Sequence, residues 1–386
     1  MTSLLQVLKY GLALLVLSFF IGGYSALFLY ILELVTDFRT ENISIIFLLP
    51  LAGAFIAWTY HKYGNEVDAG NLVFKEVFSG KRKNVPFAMY PLVLVGTWLT
   101  HLFGGSAGRE GTALQMGAAV ASQWSKLDSW WKSHQDILMV IGVSGGFASV
   151  FGTPLAGAVF ALEYLRRKDV HHPVLIITAF ISAFLSNAAC NIWGIHHSIY
   201  DVQPFDSLNQ NTIFHLLIIG VAGSIAGWLY LKMGSVFKET FTHFFKNKML
   251  RAFVGGLFII AVVLLLNTDR HIGLGVPFIQ SSFLQSSPPQ DWLIKLLLTA
   301  FTLAAGFRGG EVTPLFYIGA TMASAFGFYY PDELSILAAA GFVSVFAYVT
   351  KTPIACFLMA IELFGVSHGL TSGISLFVVS LITWKR

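Results

Sequence analysis

Charged residues are scarce in this chain of 386 residues. Asp, Glu, Lys and Arg make up only 11% of the sequence, whereas 55% of the residues are hydrophobic and the mean hydropathy is +0.70. A water-soluble domain carries roughly 25% charged residues. So few charges cannot cover the surface of a soluble protein of this size. The two cysteines, Cys190 and Cys356, lie in apolar segments, so the sequence implies neither a disulfide framework nor a cysteine metal site.

Signatures of several other functions are missing as well. The net charge of +4 is not gathered into a basic stripe, and no aromatic RNA-binding motif occurs, so we expect no nucleic-acid partner. The glycine-rich segment 105–112 lacks the Gly-Lys-Ser/Thr ending of a phosphate-binding loop. The histidines show no zinc-ligand spacing. We therefore expect no metal and no cofactor.

Apolar stretches recur along the whole chain, and they differ in length. Several reach the roughly 17–25 residues that a membrane-spanning helix needs, and others are too short to cross alone. The mixture predicts an all-α integral membrane protein in which full spans accompany broken and re-entrant helices. The first stretch is too long for the core of a signal peptide and no small-residue cleavage site follows it, so we expect it to be retained. The stretches lie at about 10–36, 43–60, 87–103, 137–162, 173–193, 213–231, 252–266, 292–305, 314–329, 334–350 and 369–384.

Basic residues alternate along the chain with segments that lack them. Segments 194–212 and 276–292 contain neither Lys nor Arg. Because cytoplasmic loops are enriched in Lys and Arg, we expect the basic segments and both termini to lie in the cytoplasm. The alternative interpretation is that the basic segments are simply solvated loops. Four basic clusters, interpreted as connecting regions, comprise Lys75, Lys81, Arg82 and Lys83; Arg166, Arg167 and Lys168; Lys232, Lys238, Lys246, Lys248 and Arg251; and Lys385 with Arg386.

Two blocks of sequence occur twice in this chain. Residues 105–114 (GSAGREGTAL) and 306–315 (GFRGGEVTPL) share the pattern G-x-x-G-x-E-x-T-x-L. Residues 153–163 (TPLAGAVFALE) and 352–362 (TPIACFLMAIE) form a second pair at nearly the same offset. Two matched blocks in the same order indicate a duplication with halves of about 200 residues. Duplicated transporters place a binding site where their halves meet, on discontinuous helices.

Each glycine-rich block leads to a glutamate and then to a small and apolar run that can continue as a helix. The free N–H groups and the positive dipole end at such a helix start attract an anion, and glycine lets the backbone approach the ion closely. Thr112 and Thr313 should fall in the first helical turn. The alternative interpretation is that the glycines only form packing surfaces between membrane helices.

Glu110 and Glu311 are the candidate functional carboxylates, because ionisable groups inside a bilayer are rare and usually functional. Glu110 could occupy an anion site itself and leave it when protonated or displaced, which would connect anion passage to proton movement. The alternative is a structural pairing with Arg109. A protonated Glu311 could donate a hydrogen bond to an anion, or Glu311 could instead cap the first turn. Glu163 and Glu362 end apolar runs, and we interpret them as interfacial anchors.

The repeated blocks resemble the CLC family of chloride channels and anion/proton antiporters. The resemblance rests on the Gly-Arg-Glu-Gly segment 108–111, the Gly-Gly-Glu-Val-Thr-Pro segment 309–314 and the Thr-Pro-Leu-Ala run 153–156. It implies one transmembrane anion-transport domain over residues 1–386, built from two inverted repeats at about 1–205 and 206–386. It also implies that no cytoplasmic regulatory domain follows, and that the protein is a homodimer in a lipid bilayer.

Within that family the sequence is most similar to the fluoride/proton antiporter branch. The Glu-Val-Thr-Pro form at 311–314 resembles this branch, whereas chloride-selective members usually carry Gly-Ile/Ser-Phe-Ala-Pro. Tyr164 stands at the position of the proton glutamate of chloride antiporters, and Gly70 stands where fluoride members usually place Asn or Met. The resemblance implies a gating role for Glu110 and a role in ion or proton handling for Glu311. The residues expected to contact the anion are Gly70, Asn71, Gly108, Arg109, Gly111, Gly310, Val312 and Thr313.

The leading hypothesis is therefore export of fluoride across the plasma membrane in exchange for protons. The alternative within the family is a chloride channel or a chloride/proton antiporter. An alternative of another class is a membrane-embedded enzyme that uses Glu110 and Glu311 as an acid–base pair. An enzyme should show clustered His, Ser or Asp at membrane depth, and the sequence offers little of that, so we do not expect one.

Overall fold

The fold is helical throughout the part of the chain that the computed structural model describes, which is residues 4–165, 172–205 and 208–384. Within these residues the one extended pairing is an isolated antiparallel bridge between Gly108 and Gly310. The predicted all-α class is therefore confirmed. Five of the basic residues named above, Arg166, Arg167, Lys168, Lys385 and Arg386, lie outside the described residues.

Sixteen α-helical elements are present in the described residues, the last of them interrupted by non-helical dihedral angles at Gly365, with short 3₁₀ turns at Ile43–Leu48, Trp124–Lys126, Gly327–Tyr329 and Pro331–Glu333. The helices are α1 (Leu4–Glu41), α2 (Leu49–Tyr63), α3 (Asn71–Phe78), α4 (Met89–Leu102), α5 (Glu110–Gln123), α6 (Ser129–Ser133), α7 (Gln135–Phe151), α8 (Pro154–Leu165), α9 (Pro173–Ile192), α10 (Gln210–Phe244), α11 (Lys248–Leu266), α12 (Val276–Ser281), α13 (Asp291–Ala305), α14 (Val312–Phe326), α15 (Leu334–Thr350) and α16 (Pro353–Trp384).

The repeated Thr-Pro dipeptides mark a helix break at the same place in each block. The apolar stretch at about 137–162 is two helices, because α7 ends before Gly152, whose φ is +75°, and α8 begins at Pro154. In the second block α15 ends before Lys351, whose φ is +57°, and α16 begins at Pro353. Proline has no N–H to contribute and its fixed φ suits the first position of a helix. Hydropathy stays high across the first break and hides it, whereas the second break falls at the end of the apolar stretch 334–350.

The first of two compact units contains the packing of α5 against α7. Its residues are Met1–Leu34, Thr59–Val95 and Glu110–His197. The two helices cross at Gly117 and Gly142, where a Cβ added to Gly117 would lie 2.1 Å from the Gly142 carbonyl oxygen. Such a distance leaves no room for a side chain. The glycine pair therefore lets the two backbones touch.

The second unit contains an equivalent crossing of α14 and α15. Its residues are Val35–Trp58, Gly96–Arg109 and Ser198–Arg386. A Cβ added to Gly319 would lie 2.0 Å from the carbonyl oxygen of Gly341. In each unit, the helix that follows a glycine–glutamate block is thus packed against a later helix through a pair of glycines.

Seven helices are long and apolar enough to cross a membrane, judged by length and composition over the described residues. The expectation that the basic clusters lie in connecting regions is partly wrong. Lys75 lies within α3, and Lys232 and Lys238 lie on α10, which continues to Phe244 well beyond its apolar part. Arg251 lies in the first turns of α11. The physical reason is that a helix does not stop where its apolar run stops, since backbone hydrogen bonding continues into polar surroundings.

Candidate functional site

The first candidate carboxylate begins a helix, as the sequence predicts. Glu110 is the first residue of α5 and is completely buried, with Gly111 and Thr112 buried directly after it. The first N–H groups of a helix have no partner within it, so this buried terminus presents backbone donors together with the positive dipole end. An anion is the ligand that such a terminus favours.

The second candidate carboxylate stands one residue before its helix. Glu311 occupies the N-cap position of α14, yet its side chain makes no capping hydrogen bond. Its Oε2 instead accepts a hydrogen bond of 3.0 Å from the hydroxyl group of Tyr230 on α10. The capping interpretation of Glu311 is therefore wrong for its side chain. Val312 and Thr313 follow in the first turn and are buried, at 4% and 2% exposed.

A backbone pair joins the two glycine-rich blocks. Within the second unit, the amide of Gly108 donates to the carbonyl of Gly310, and the amide of Gly310 donates to the carbonyl of Gly108, both at 2.6 Å. Two residues that exchange both bonds form the hydrogen-bonded type of antiparallel pair. Gly309 has a φ of +151°, and a Cβ there would lie 2.7 Å from that of Ala107. These two non-helical segments therefore meet through bare backbone.

Residues before and after this pair carry the remaining predicted positions. Arg109 follows Gly108 directly and is half-buried. Gly310 is buried and leads into the start of α14. Glu163 lies within α8 and Glu362 within α16, and both are half-buried.

A second set of predicted residues lies in the first unit, at the start of α3. Gly70 is the N-cap residue of this helix and has a φ of +58°, a region where a side chain is strained. This conformation explains why glycine stands there. Asn71 follows, and its amide is fixed at both ends. Its Oδ1 accepts from Gln115 Nε2 at 2.9 Å, and its Nδ2 donates to the hydroxyl group of Tyr164 at 3.1 Å.

The Tyr164 ring is held by several neighbours in the same unit. Phe160 stacks on it with ring centroids 4.8 Å apart, and Phe74 packs at 6.4 Å. The ammonium group of Lys75 lies 3.3 Å from the ring centroid, which is a cation–π contact. Tyr164 is thus held by its ring and by its hydroxyl group at once.

Sequence reasoning missed the two partners that fix these groups, Tyr230 and Gln115. Tyr230 lies in the apolar part of α10 and Gln115 among the small residues of α5, and Tyr230 is only 4% exposed and Gln115 only 8%. A buried polar side chain normally has a hydrogen-bond partner. That rule indicates that Tyr230 and Gln115 each form a hydrogen bond, but it does not identify the residue that they bond to.

Together the fold and these features define a polytopic helical membrane protein with two glutamate-bearing helix starts, whose preceding glycines are paired. The profile of the voltage gated chloride channel family matches residues 52–383, and the chain belongs to this family. The predicted resemblance to the CLC family is therefore confirmed. Since the family comprises channels and transporters, the membrane-enzyme alternative is set aside.

Individual relatives agree with this assignment. The chain is 39% identical over 354 residues to a chloride/fluoride channel protein of Pseudomonas syringae pv. tomato, with 89% of this chain and 77% of the relative covered. Its structure is similar to that of a CLC-type fluoride/proton antiporter, with a TM-score of 0.94, 32% identity, and coverage of 99% of this chain and 97% of that chain. A slow cyanobacterial Cl⁻/H⁺ antiporter shares the fold, with a TM-score of 0.84, 18% identity, and coverage of 97% and 94%.

Proposed function

We propose that this protein exports fluoride across the plasma membrane in exchange for protons. The observation that carries the proposal is the pairing of Gly108 with Gly310, because each of these glycines lies within two residues of a glutamate at a helix start. The similarity of the chain to a fluoride/proton antiporter and to a chloride/fluoride channel protein supports fluoride as the ion.

Glu110 is the gate in this proposal. Its carboxylate is completely buried at the first turn of α5, where backbone N–H groups stabilise a negative charge. The carboxylate and a fluoride ion compete for the same kind of donors. Protonation of Glu110 removes its charge and lets the anion take its place, so each passage of an anion is tied to a proton.

Donors at the start of α14 suit fluoride better than chloride. Fluoride is small, strongly hydrated and a strong hydrogen-bond acceptor, so its dehydration must be offset by short and strong donors. The Thr313 hydroxyl, the amide groups around Val312 and a protonated Glu311 are donors of this kind. Tyr230 holds one oxygen of Glu311, which fixes the direction of the other. Asn71, held by Gln115 and Tyr164, remains a proposed anion contact.

The arrangement of the chain in the membrane is also proposed. We assign residues of about 1–205 and 206–386 to two inverted repeats, place both termini in the cytoplasm, and expect a homodimer. Gly70, Arg109 and Gly111 remain proposed contributors to the anion path through their backbone or charge. Interfacial anchoring remains the role proposed for Glu163 and Glu362.

The test is ion efflux from liposomes that contain the purified protein, recorded together with external pH. Fluoride efflux with matched proton movement and little chloride efflux is expected. Glu110→Gln should abolish proton-coupled efflux, whereas Glu163→Gln, a half-buried glutamate outside the helix starts, should keep it. Chloride efflux without preference for fluoride would refute fluoride as the transported ion. Normal coupled efflux by the Glu110→Gln protein would refute the gating role of Glu110.

A further inference from the structure

One completely buried histidine is not used by the function just proposed. His101 lies in the last turn of α4, within the second unit, and is 0% exposed. Its Nδ1 lies 2.9 Å from the carbonyl oxygen of Thr97, and its Nε2 lies 3.0 Å from the carbonyl oxygen of Ala107. Both ring nitrogens therefore face acceptors.

The two carbonyl oxygens differ in whether they need a hydrogen bond from the ring. A neutral imidazole carries one N–H and can donate to only one of them. Thr97 lies four residues before His101 in the same helix, so its carbonyl already receives the helical N–H of residue 101. Ala107 lies in the non-helical segment before α5, where no helical N–H reaches its buried carbonyl, and a buried carbonyl requires a donor. The proton therefore belongs on Nε2.

The charge around His101 supports a neutral ring. The guanidinium group of Arg39, which is 8% exposed, donates a hydrogen bond of 2.8 Å to the backbone oxygen of His101. The Lys295 side chain is also completely buried in this unit. A positive charge on the buried ring would be repelled by the guanidinium group of Arg39 and would lack water to solvate it.

The hydrogen bond from His101 reaches the segment that precedes the gate. Ala107 is followed by Gly108, which is paired with Gly310, and then by Arg109 and Glu110. The same segment is held further back, because the amide of Gly105 donates to the carbonyl of Thr100 on α4 at 2.7 Å. The end of α4 thus holds this segment at two points.

We infer that His101 is a positioning residue for transport: its Nε2–H holds Ala107 so that Gly108 pairs with Gly310 and the chain enters α5 at Glu110. This role rests on the proposed function of the protein. His101 does not touch the anion in this role. It sets the backbone path from which the gating glutamate projects.

Two isosteric variants separate the two nitrogens of the ring. In His101→Gln the amide nitrogen can sit where Nε2 sits, and in His101→Asn it can sit where Nδ1 sits. We expect His101→Gln to keep fluoride efflux within about twofold of the wild type, and His101→Asn to lose about tenfold, the usual effect of one unsatisfied buried acceptor. Apparent Tm values of the purified variants are measured alongside. Equal efflux by the two variants, whether high or low, would overturn the inference when both keep the apparent Tm of the wild type.

A measurement on the unmutated protein tests the hydrogen bond itself. Only His101 and His243 follow a threonine in the sequence, so labelling with ¹³C-carbonyl Thr and ¹⁵N-His selects these two in solid-state NMR. His243 is exposed, and its signal is identified by its absence from the spectrum of the His243→Gln protein. The ¹⁵N shifts of His101 should be those of the neutral Nε2–H tautomer. An Nδ1–H tautomer or an imidazolium would overturn the inference even if both variants fail to fold.

The two measurements also separate this inference from the function on which it rests. Absence of fluoride efflux in the wild-type protein would refute the proposed function. The tautomer of His101 would still decide whether its ring holds Ala107.

Discussion

A methyl group on Gly117 or Gly319 should weaken both stability and transport, because both glycines lie where two helix backbones touch. A Cβ on Gly117 would lie 2.1 Å from the carbonyl oxygen of Gly142, and one on Gly319 would lie 2.0 Å from that of Gly341. The obstructing atoms belong to the backbone and cannot rotate aside as the end of a side chain can. Each alanine therefore forces two helices apart.

The size of the effect follows from these distances. An ordinary contact needs about 3.5 Å, so each pair of helices must separate locally by roughly 1.5 Å. Overpacking of this kind costs ~1–3 kcal/mol. α5 and α14 also carry the proposed anion-binding starts at Glu110 and Val312. Because a functional site tolerates displacements of only about 0.5 Å, fluoride efflux should fall roughly tenfold or more.

The assay compares apparent Tm and fluoride efflux for Gly117→Ala, Gly319→Ala and a matched control. Gly234 lies within α10, and an added Cβ there meets no atom within 4 Å. Gly234→Ala should keep wild-type efflux and gain ~0.5–1 kcal/mol, because alanine favours a helix interior more than glycine does. If all three variants behave alike, the helices are not held in contact at these glycines and the reasoning is refuted.

Three further perturbations test individual contacts. Tyr230→Phe removes the hydroxyl group that donates to Glu311, and the rate of proton-coupled fluoride efflux should fall roughly fivefold; an unchanged rate would show that Glu311 needs no such support. Gln115→Leu leaves the Oδ1 atom of Asn71 without its donor and should cost ~1–2 kcal/mol, measured as a lower apparent Tm. The pKa of Asp128 is lowered, chiefly by its hydrogen bond from the ammonium group of Lys9 in α1 and then by the hydrogen bond from the backbone amide of Trp130 in α6. The charged carboxylate therefore stabilises the folded protein above the ordinary pKa of aspartate, and this stabilisation is lost as the pH falls through the lowered pKa of Asp128. The Tm difference between wild type and Asp128→Asn should be largest at neutral pH and shrink in acid.

The helix starts of the site could be predicted from the sequence alone. Glycines followed by a glutamate and a small, apolar run indicated that Glu110 would begin a helix and that Thr112 and Thr313 would fall in a first turn, and the structure agrees. This succeeds because the signal is local. Glycine disfavours helix, and the residues after it favour one.

The partners of these groups could not be predicted in the same way. Along the chain, Asn71 is 44 residues from Gln115 and 93 residues from Tyr164. Tyr230 is 81 residues from Glu311. No local pattern encodes such pairs, since any buried polar residue of suitable length satisfies the same rule. The breaks at Gly152 and Lys351 differ from each other in this respect, because hydropathy hides the first while the end of the apolar stretch at residue 350 marks the second.

The pairing of Gly108 with Gly310 has a consequence for how this protein is studied by mutation. Both of its hydrogen bonds run between main-chain atoms, so among the standard residues only proline deletes one of them, and proline also fixes φ. A saturation screen at these two positions would therefore measure side-chain bulk and backbone strain rather than the hydrogen bonds alone. Replacement of the amide of Gly310 by an ester, which removes a single N–H, is the change that reports what this contact contributes to ion flux.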